Sequence, residues 1–274
     1  MEKQYNLKPA FTLSVIVAIL AIVASVGGLI IPNLYRDNEF VKSAWFTNDL
    51  ITLIVVVPLL ITSLMFALKG SLRWQLVWMG MLGYMIYNFA FYLFGAAFNN
   101  LFLVYVALFS SSIAALILGL SNLNVNDITL RFSPKTPVKV ISIYIMLIAI
   151  MLFFVEMGMI SSYFQTGILP ETIKLTGHPT SIVFALDLSI VVPVSVVTAF
   201  LLWKRNTWGY ILGMIMLLKG FIYGLVLSIG TALLAYSPAF GKWDPLMPLY
   251  LVLVFGGFIC SWVMLKNLKK ETKN

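Results

Sequence analysis

Residues 74–126 form an uninterrupted stretch without a single aspartate, glutamate, lysine or arginine. Water-facing protein cannot be built from such a run, whereas a bilayer-spanning helix needs only about 20 mostly apolar residues. The stretch is too long for one span, and residues 95–100 are its only break, so it reads as two helices joined by a short turn. The same reading along the chain gives eight apolar runs, at about 10–31, 48–68, 73–95, 98–120, 138–160, 181–203, 207–231 and 246–265. They are continuously apolar rather than alternating, which excludes the strands of a membrane β-barrel. Composition agrees: 61% of residues are hydrophobic and 10% charged, where soluble domains carry about 25% charge. One cysteine, Cys260, rules out a disulfide scaffold. The expected fold class is an all-α integral membrane protein with eight transmembrane helices.

Charge placement orients the helices, because cytoplasmic loops collect lysine and arginine. With the N-terminus inside, the inner segments hold 13 basic residues against the three acids Glu2, Asp127 and Glu271. The outer segments hold only Arg36, Lys42, Lys174 and Lys242 against seven acids. Both termini and the 121–137 linker are therefore expected in the cytoplasm, in a multi-pass protein of the cell membrane. The net charge of +8 then follows from topology and anionic lipid, and no nucleic-acid partner is implied. The first run could be read as a cleaved signal peptide behind Lys3 and Lys8. Its apolar stretch is longer than usual for one and no small-x-small site follows, so it is read as a span.

An internal repeat is visible. Pro58 and Pro193 lie 135 residues apart, Trp74 and Trp208 134, and Gly80 and Gly213 133. Residues 101–106 (LFLVYV) match 249–254 (LYLVLV) at an offset of 148, which puts about 15 extra residues in the outer loop 231–248. Lys8-Pro9 corresponds to Lys135-Thr-Pro137 at the entry of the fifth run. The expected organisation is a four-helix repeat in 1–120, the linker 121–137, and a second four-helix repeat in 138–274. Four helices per unit leave both copies in the same orientation, so the relating axis runs along the membrane normal.

Several of these residues also carry a resemblance. Thr176-Gly-His-Pro179, Ala185-Leu-Asp-Leu188, Pro193, Leu202-Trp-Lys-Arg205, Trp208-Gly209 and Lys219 resemble a pattern in a family of uncharacterised polytopic bacterial membrane proteins. Tyr87-Asn-Phe89, Phe94-Gly95, Phe98-Asn99 and Leu101-Phe-Leu103 do the same in the first half. The resemblance implies eight helices in a bacterial or archaeal membrane and no particular activity.

Chemistry points first to Lys219. It lies 11 residues past Trp208, roughly 16 Å along the helix and near mid-bilayer. A lysine there costs about 3 kcal/mol, so it should face the bundle interior and find a partner. Asp187 is expected first, Glu156 next, and Asp49 is the third acid. A self-neutralising ion pair and a substrate or proton site are both open for Lys219 and Asp187. Asp49, in Thr47-Asn48-Asp49, reads chiefly as a helix N-terminal cap. Pro58 and Pro193 each remove a helix hydrogen bond, freeing the carbonyls of Ile54 and Ser189, and matched helix breaks in two halves point to a binding site. In the third run Tyr84, Tyr87, Asn88, Phe91, Tyr92, Phe98 and Asn99 recur at helical spacing, predicting one inward polar face. That face serves either as interhelical hydrogen-bond glue or as the wall of a cavity for a polar ligand.

No HExxH, CxxC, P-loop or GxGxxG is present, and the lone histidine, His178, reads as a solvated loop residue. No catalytic residue, metal ligand or cofactor site is assigned. The leading expectation is a secondary transporter or permease-like protein for a small solute. The alternatives are a non-transporting scaffold or accessory subunit and, third, an intramembrane enzyme acting on a lipid-linked substrate. The bilayer is the expected partner, with a small solute, and oligomeric state is left open.

Overall fold

The computed structural model describes residues 6–236, 241 and 243–269, with only the backbone at 126 and 127. Among the charges used for orientation, Glu2, Lys3, Lys242, Lys270, Glu271 and Lys273 lie outside these residues, as does the side chain of Asp127. The described residues form eight helices long and apolar enough to cross a membrane. Spans one to four are Lys8–Ile30, Glu39–Ala67, Leu72–Phe94 and Phe102–Ser121, and spans five to eight are Val138–Thr166, Ile182–Trp203, Thr207–Tyr236 and Met247–Lys266. Two short helices, Val125–Arg131 and Glu171–Thr176, lie between spans. No strand occurs among the described residues, the only β feature being an isolated bridge between Phe132 and Leu268.

Three spans are longer than their apolar runs suggest, span seven simply continuing to Tyr236. Span two starts at Glu39 rather than near 48, capped by Asn38, whose side chain accepts a hydrogen bond from the Val41 amide at 3.0 Å. Its first two turns carry Glu39 and Lys42, paired at 3.0 Å, so the helix protrudes beyond the apolar core. Span five continues to Thr166, where Gly167 takes the left-handed conformation, φ 69°, that ends a helix.

Alternate connections meet at the two ends of the bundle, as consecutive crossings require. At the terminal end, the Asn6 amide donates to Asn122 Oδ1 (3.2 Å) and the Ser133 amide to the Asn267 carbonyl (2.9 Å). Arg205 donates there to the carbonyls of Pro134 (2.8 Å) and Thr136 (3.0 Å). At the distal end, Asn38 Nδ2 donates to the carbonyls of Leu175 (2.9 Å) and Thr176 (3.0 Å), tying the 31–38 loop to the 167–181 connection.

Span three is the most enclosed helix and span seven the next. These two pack on each other at the centre, with spans two and four flanking three and spans six and eight flanking seven. Glycines permit the approach: a Cβ on Gly80 would lie 2.5 Å from Leu218 Cδ1, and one on Gly83 2.6 Å from Ile215 Cγ2. Apolar surface supplies no driving force between helices in lipid, so close packing at small residues and a few polar contacts must hold such a bundle. One such contact runs from Trp78 Nε1 to Ser14 Oγ at 2.8 Å, joining spans three and one. Outward side chains such as Leu103, Phe154, Phe164 and Phe255 are exposed to the apolar surroundings.

Candidate functional site

The prolines of spans two and six are absorbed without a break. Each follows a π-helical turn, Thr52–Val56 before Pro58 and Asp187–Val191 before Pro193. The Val57 amide reaches back five residues to the Thr52 carbonyl, and the Val192 amide likewise to Asp187. One extra residue in the turn relieves the clash of the proline ring and shifts the helical register. The expected interrupted helices are thus continuous helices with a π turn at matching positions. Ser189 is exposed, and its hydroxyl donates back to the Ala185 carbonyl of its own helix.

The π turn of span six carries Asp187, which is 4% exposed. Its Oδ1 accepts from the Tyr87 hydroxyl of span three at 2.6 Å. Glu156 of span five, 3% exposed, lies close enough to Asp187 for the two acids to interact. Glu156 Oε2 otherwise has no hydrogen-bond partner.

Lys219 of span seven is buried, as expected, within electrostatic reach of both acids. The expected contact with a carboxylate is not formed. Among the described residues no carboxylate oxygen lies within 4.0 Å of its ammonium. Instead the Nζ sits 3.4 Å from the centre of the Tyr87 ring and 5.4 Å from that of Tyr223. The reason is positional. The Tyr87 hydroxyl occupies Asp187, so the lysine meets the face of the same ring, whose negative quadrupole attracts a desolvated cation. Tyr87, Asp187, Glu156 and Lys219 therefore form one centre where spans three, five, six and seven converge.

Asp49, Asn88 and Tyr84 belong to a second centre on the other side of span three. Asp49 is not a cap, because span two begins ten residues earlier. It is fully buried, and its Oδ2 accepts from the Tyr35 hydroxyl (2.6 Å) and its Oδ1 from the Tyr92 hydroxyl (2.9 Å). Below it, Thr52 Oγ1 lies 3.3 Å from the Tyr84 hydroxyl and accepts from Asn88 Nδ2 at 3.4 Å. Tyr35 comes from the loop between spans one and two. Burial, followed by the charge of Asp49, holds its phenol well above the ordinary tyrosine range, so it stays a donor. Gly28 of span one makes room: a Cβ there would lie 1.9 Å from Asp49 Oδ2 and 2.3 Å from the Tyr35 hydroxyl.

The polar residues of span three thus do not form one face. Tyr84, Asn88 and Tyr92 serve the Asp49 side, while on the other Tyr87 meets Tyr223 edge to face and Phe91 stacks on it. Phe98 lies past the end of the helix and is exposed, and Asn99 turns its side chain onto its own loop, accepting from the Leu101 amide at 2.9 Å. His178 is not a freely solvated residue. Its Nε2 lies 3.6 Å from Asp37 Oδ1, and Asp37 also accepts from Trp45 Nε1 (3.1 Å) and the Ala97 amide (3.0 Å). Tyr35, Asp37 and Tyr223 are the contributors that sequence patterning does not single out. No group of three or more histidine, cysteine, aspartate or glutamate side chains that could hold a metal ion occurs among the described residues.

No protein-family model, curated protein or solved structure matches this chain.

Proposed function

We propose that the protein is a secondary transporter or permease-like protein for a small solute, with the centre of Lys219, Asp187, Glu156 and Tyr87 in its pathway. One observation carries this reading. The buried lysine has not closed onto either acid, and Glu156 keeps an unpartnered oxygen. A pair retained only to fix helix register would neutralise itself. Ionisable groups left partly unmatched inside a membrane mark substrate and proton routes. The π turns before Pro58 and Pro193, and the way spans two and four flank span three as spans six and eight flank span seven, support a duplicated four-helix unit related by an axis along the membrane normal. The basic residues at the terminal end support a cytoplasmic location for that end in a cell membrane.

The nearest competitor is a non-transporting scaffold, favoured by the near-complete burial of Lys219. Cysteine accessibility separates the two. In a Cys260→Ser background, Tyr223→Cys places a thiol beside the lysine. In proteoliposomes, transport requires that a small charged methanethiosulfonate reach this thiol from at least one face. Full labelling after denaturation, with none from either face before it, would overturn transport and leave the scaffold.

A further inference from the structure

Asp49 is a buried acid that the proposed pathway through Lys219 does not use. It lies ten residues into span two, roughly 15 Å along the helix axis from its distal end. No ion pair reaches it among the described residues, yet both its oxygens are held by phenols. Two more hydroxyls stand by without partners of their own. Ser25 Oγ of span one, fully buried, faces the Asp49 carboxyl, and the hydroxyl of Tyr105 from span four, 1% exposed, lies beside Tyr35. A carboxyl ringed by hydroxyls, with no cation, is furnished to be neutral or charged according to whether a proton is present.

The route to it is short. A cavity of about 210 Å³ opens at the distal end, lined by Gly28, Ile31, Asn33, Leu34, Tyr35, Lys42 and Phe46. Two of these residues, Gly28 and Tyr35, also touch Asp49. One side chain therefore separates cavity from acid. We propose that Asp49 is a proton-binding site loaded from this distal cavity through the hydroxyl of Tyr35. In loading, a hydronium in the cavity gives its proton to the Tyr35 oxygen while the phenol's own proton passes to Asp49 Oδ2. The carboxylate becomes a carboxylic acid, the hydronium becomes water and the tyrosine is unchanged.

A metal cation fits poorly in the same place. Both carboxylate oxygens already face O–H donors, and Gly28 leaves no space beside Oδ2 even for a methyl group. The titratable groups around Asp49 are Tyr35 from the loop, Tyr84 and Tyr92 from span three and Tyr105 from span four, while Lys42 lines the cavity. Asp37 acts on Tyr105 from the loop. Span one offers only Ser25, and no charge of span seven acts on Asp49. This proposal goes beyond the Lys219 pathway and does not depend on it.

Infrared difference spectroscopy on protein in lipid, stepped from pH 5 to pH 9, tests it. A carboxylic C=O band should titrate in the wild type and be lost in Asp49→Asn, with Glu156 and Asp187 intact in both. Tyr35→Phe keeps the acid but removes a donor to its charged form, so the midpoint should rise by about one pH unit or more. Should Asp49→Asn fail to fold, displacement of the same band in Tyr35→Phe makes the assignment. A band unaffected by either substitution, or an Asp49 signal constant across the range, would overturn the proposal. So would a midpoint that falls as sodium replaces choline, since the occupant would then be a metal cation.

Discussion

Gly28→Ala is the sharpest single perturbation of this bundle. The added methyl would start 1.9 Å from Asp49 Oδ2 and 2.3 Å from the Tyr35 hydroxyl. Neither atom can yield freely, because Asp49 is also pinned by Tyr92 and Tyr35 packs 6.2 Å from both the Trp45 and Tyr92 rings. Overpacking of this kind costs about 1–3 kcal/mol. Prising the phenol from the carboxyl forfeits a hydrogen bond worth about 1.5–3 kcal/mol if the acid is charged. Alanine returns about 1 kcal/mol through its better helix propensity, so the net loss should be about 1.5–5 kcal/mol. Gly158→Ala is the control, since a Cβ there meets nothing within 4 Å and should leave stability level or slightly raised. Unfolding in mixed micelles, titrated with a denaturing detergent, reads both. In an Asp49→Ala background the Gly28→Ala cost should shrink by at least about 1 kcal/mol, because one of the two clashing groups is gone. Equal midpoints for the two glycine variants, or strictly additive losses in the double variant, would refute the packing argument.

Lys219→Met should change folding stability by no more than about 1 kcal/mol. The lost cation–π contact, about 2 kcal/mol when desolvated, is offset by removing a charge that costs about 3 kcal/mol to bury; a loss well above 3 kcal/mol in the same titration would indicate a closed ion pair instead. Asn38→Ala should cost about 1–2 kcal/mol through the lost cap and speed amide exchange in Leu175 to Gly177, whose carbonyl anchors it removes; unchanged exchange there would count against the clasp. Cysteines placed at Lys135 and Lys42 should label from opposite sides of the membrane, Lys42 from outside. External labelling at Lys135 alone would invert the orientation.

Eight helices were legible because length of apolar run is nearly all that a bilayer demands of a span. The start of span two was not, since Glu39 and Lys42 interrupt hydropathy where the helix carries on above the apolar core. Asn38 three residues before Val41 was the available signal. Misplacing that start turned Asp49 from a mid-helix acid into a cap. The inward character of span three could be read from Tyr84, Tyr87, Asn88 and Tyr92, but its two-sidedness could not. Residues 87 and 88 are about 100° apart on a helix, and only neighbours on both sides reveal that each has a different polar partner. Pro58 and Pro193 marked the π turns without disclosing them, because a proline specifies the missing amide and leaves the register to packing. The lysine's seat was misjudged for a further reason. Depth along a helix can be counted from sequence, whereas competition for Asp187 from a phenol on span three is a matter of azimuth.

Span three supplies a phenol to each of the two acid centres. Tyr92 holds Asp49 in span two and Tyr87 holds Asp187 in span six, and these donors leave the helix on different sides. Hydroxyl-to-carboxylate bonds of 2.6 and 2.9 Å weaken steeply with a displacement of even half an ångström or so. A sideways shift of span three that tightens one bond therefore stretches the other. The close approach of Gly80 and Gly83 to span seven fixes the helix on that side, and the π turn that carries Asp187 sets the aim of that acid toward Tyr87.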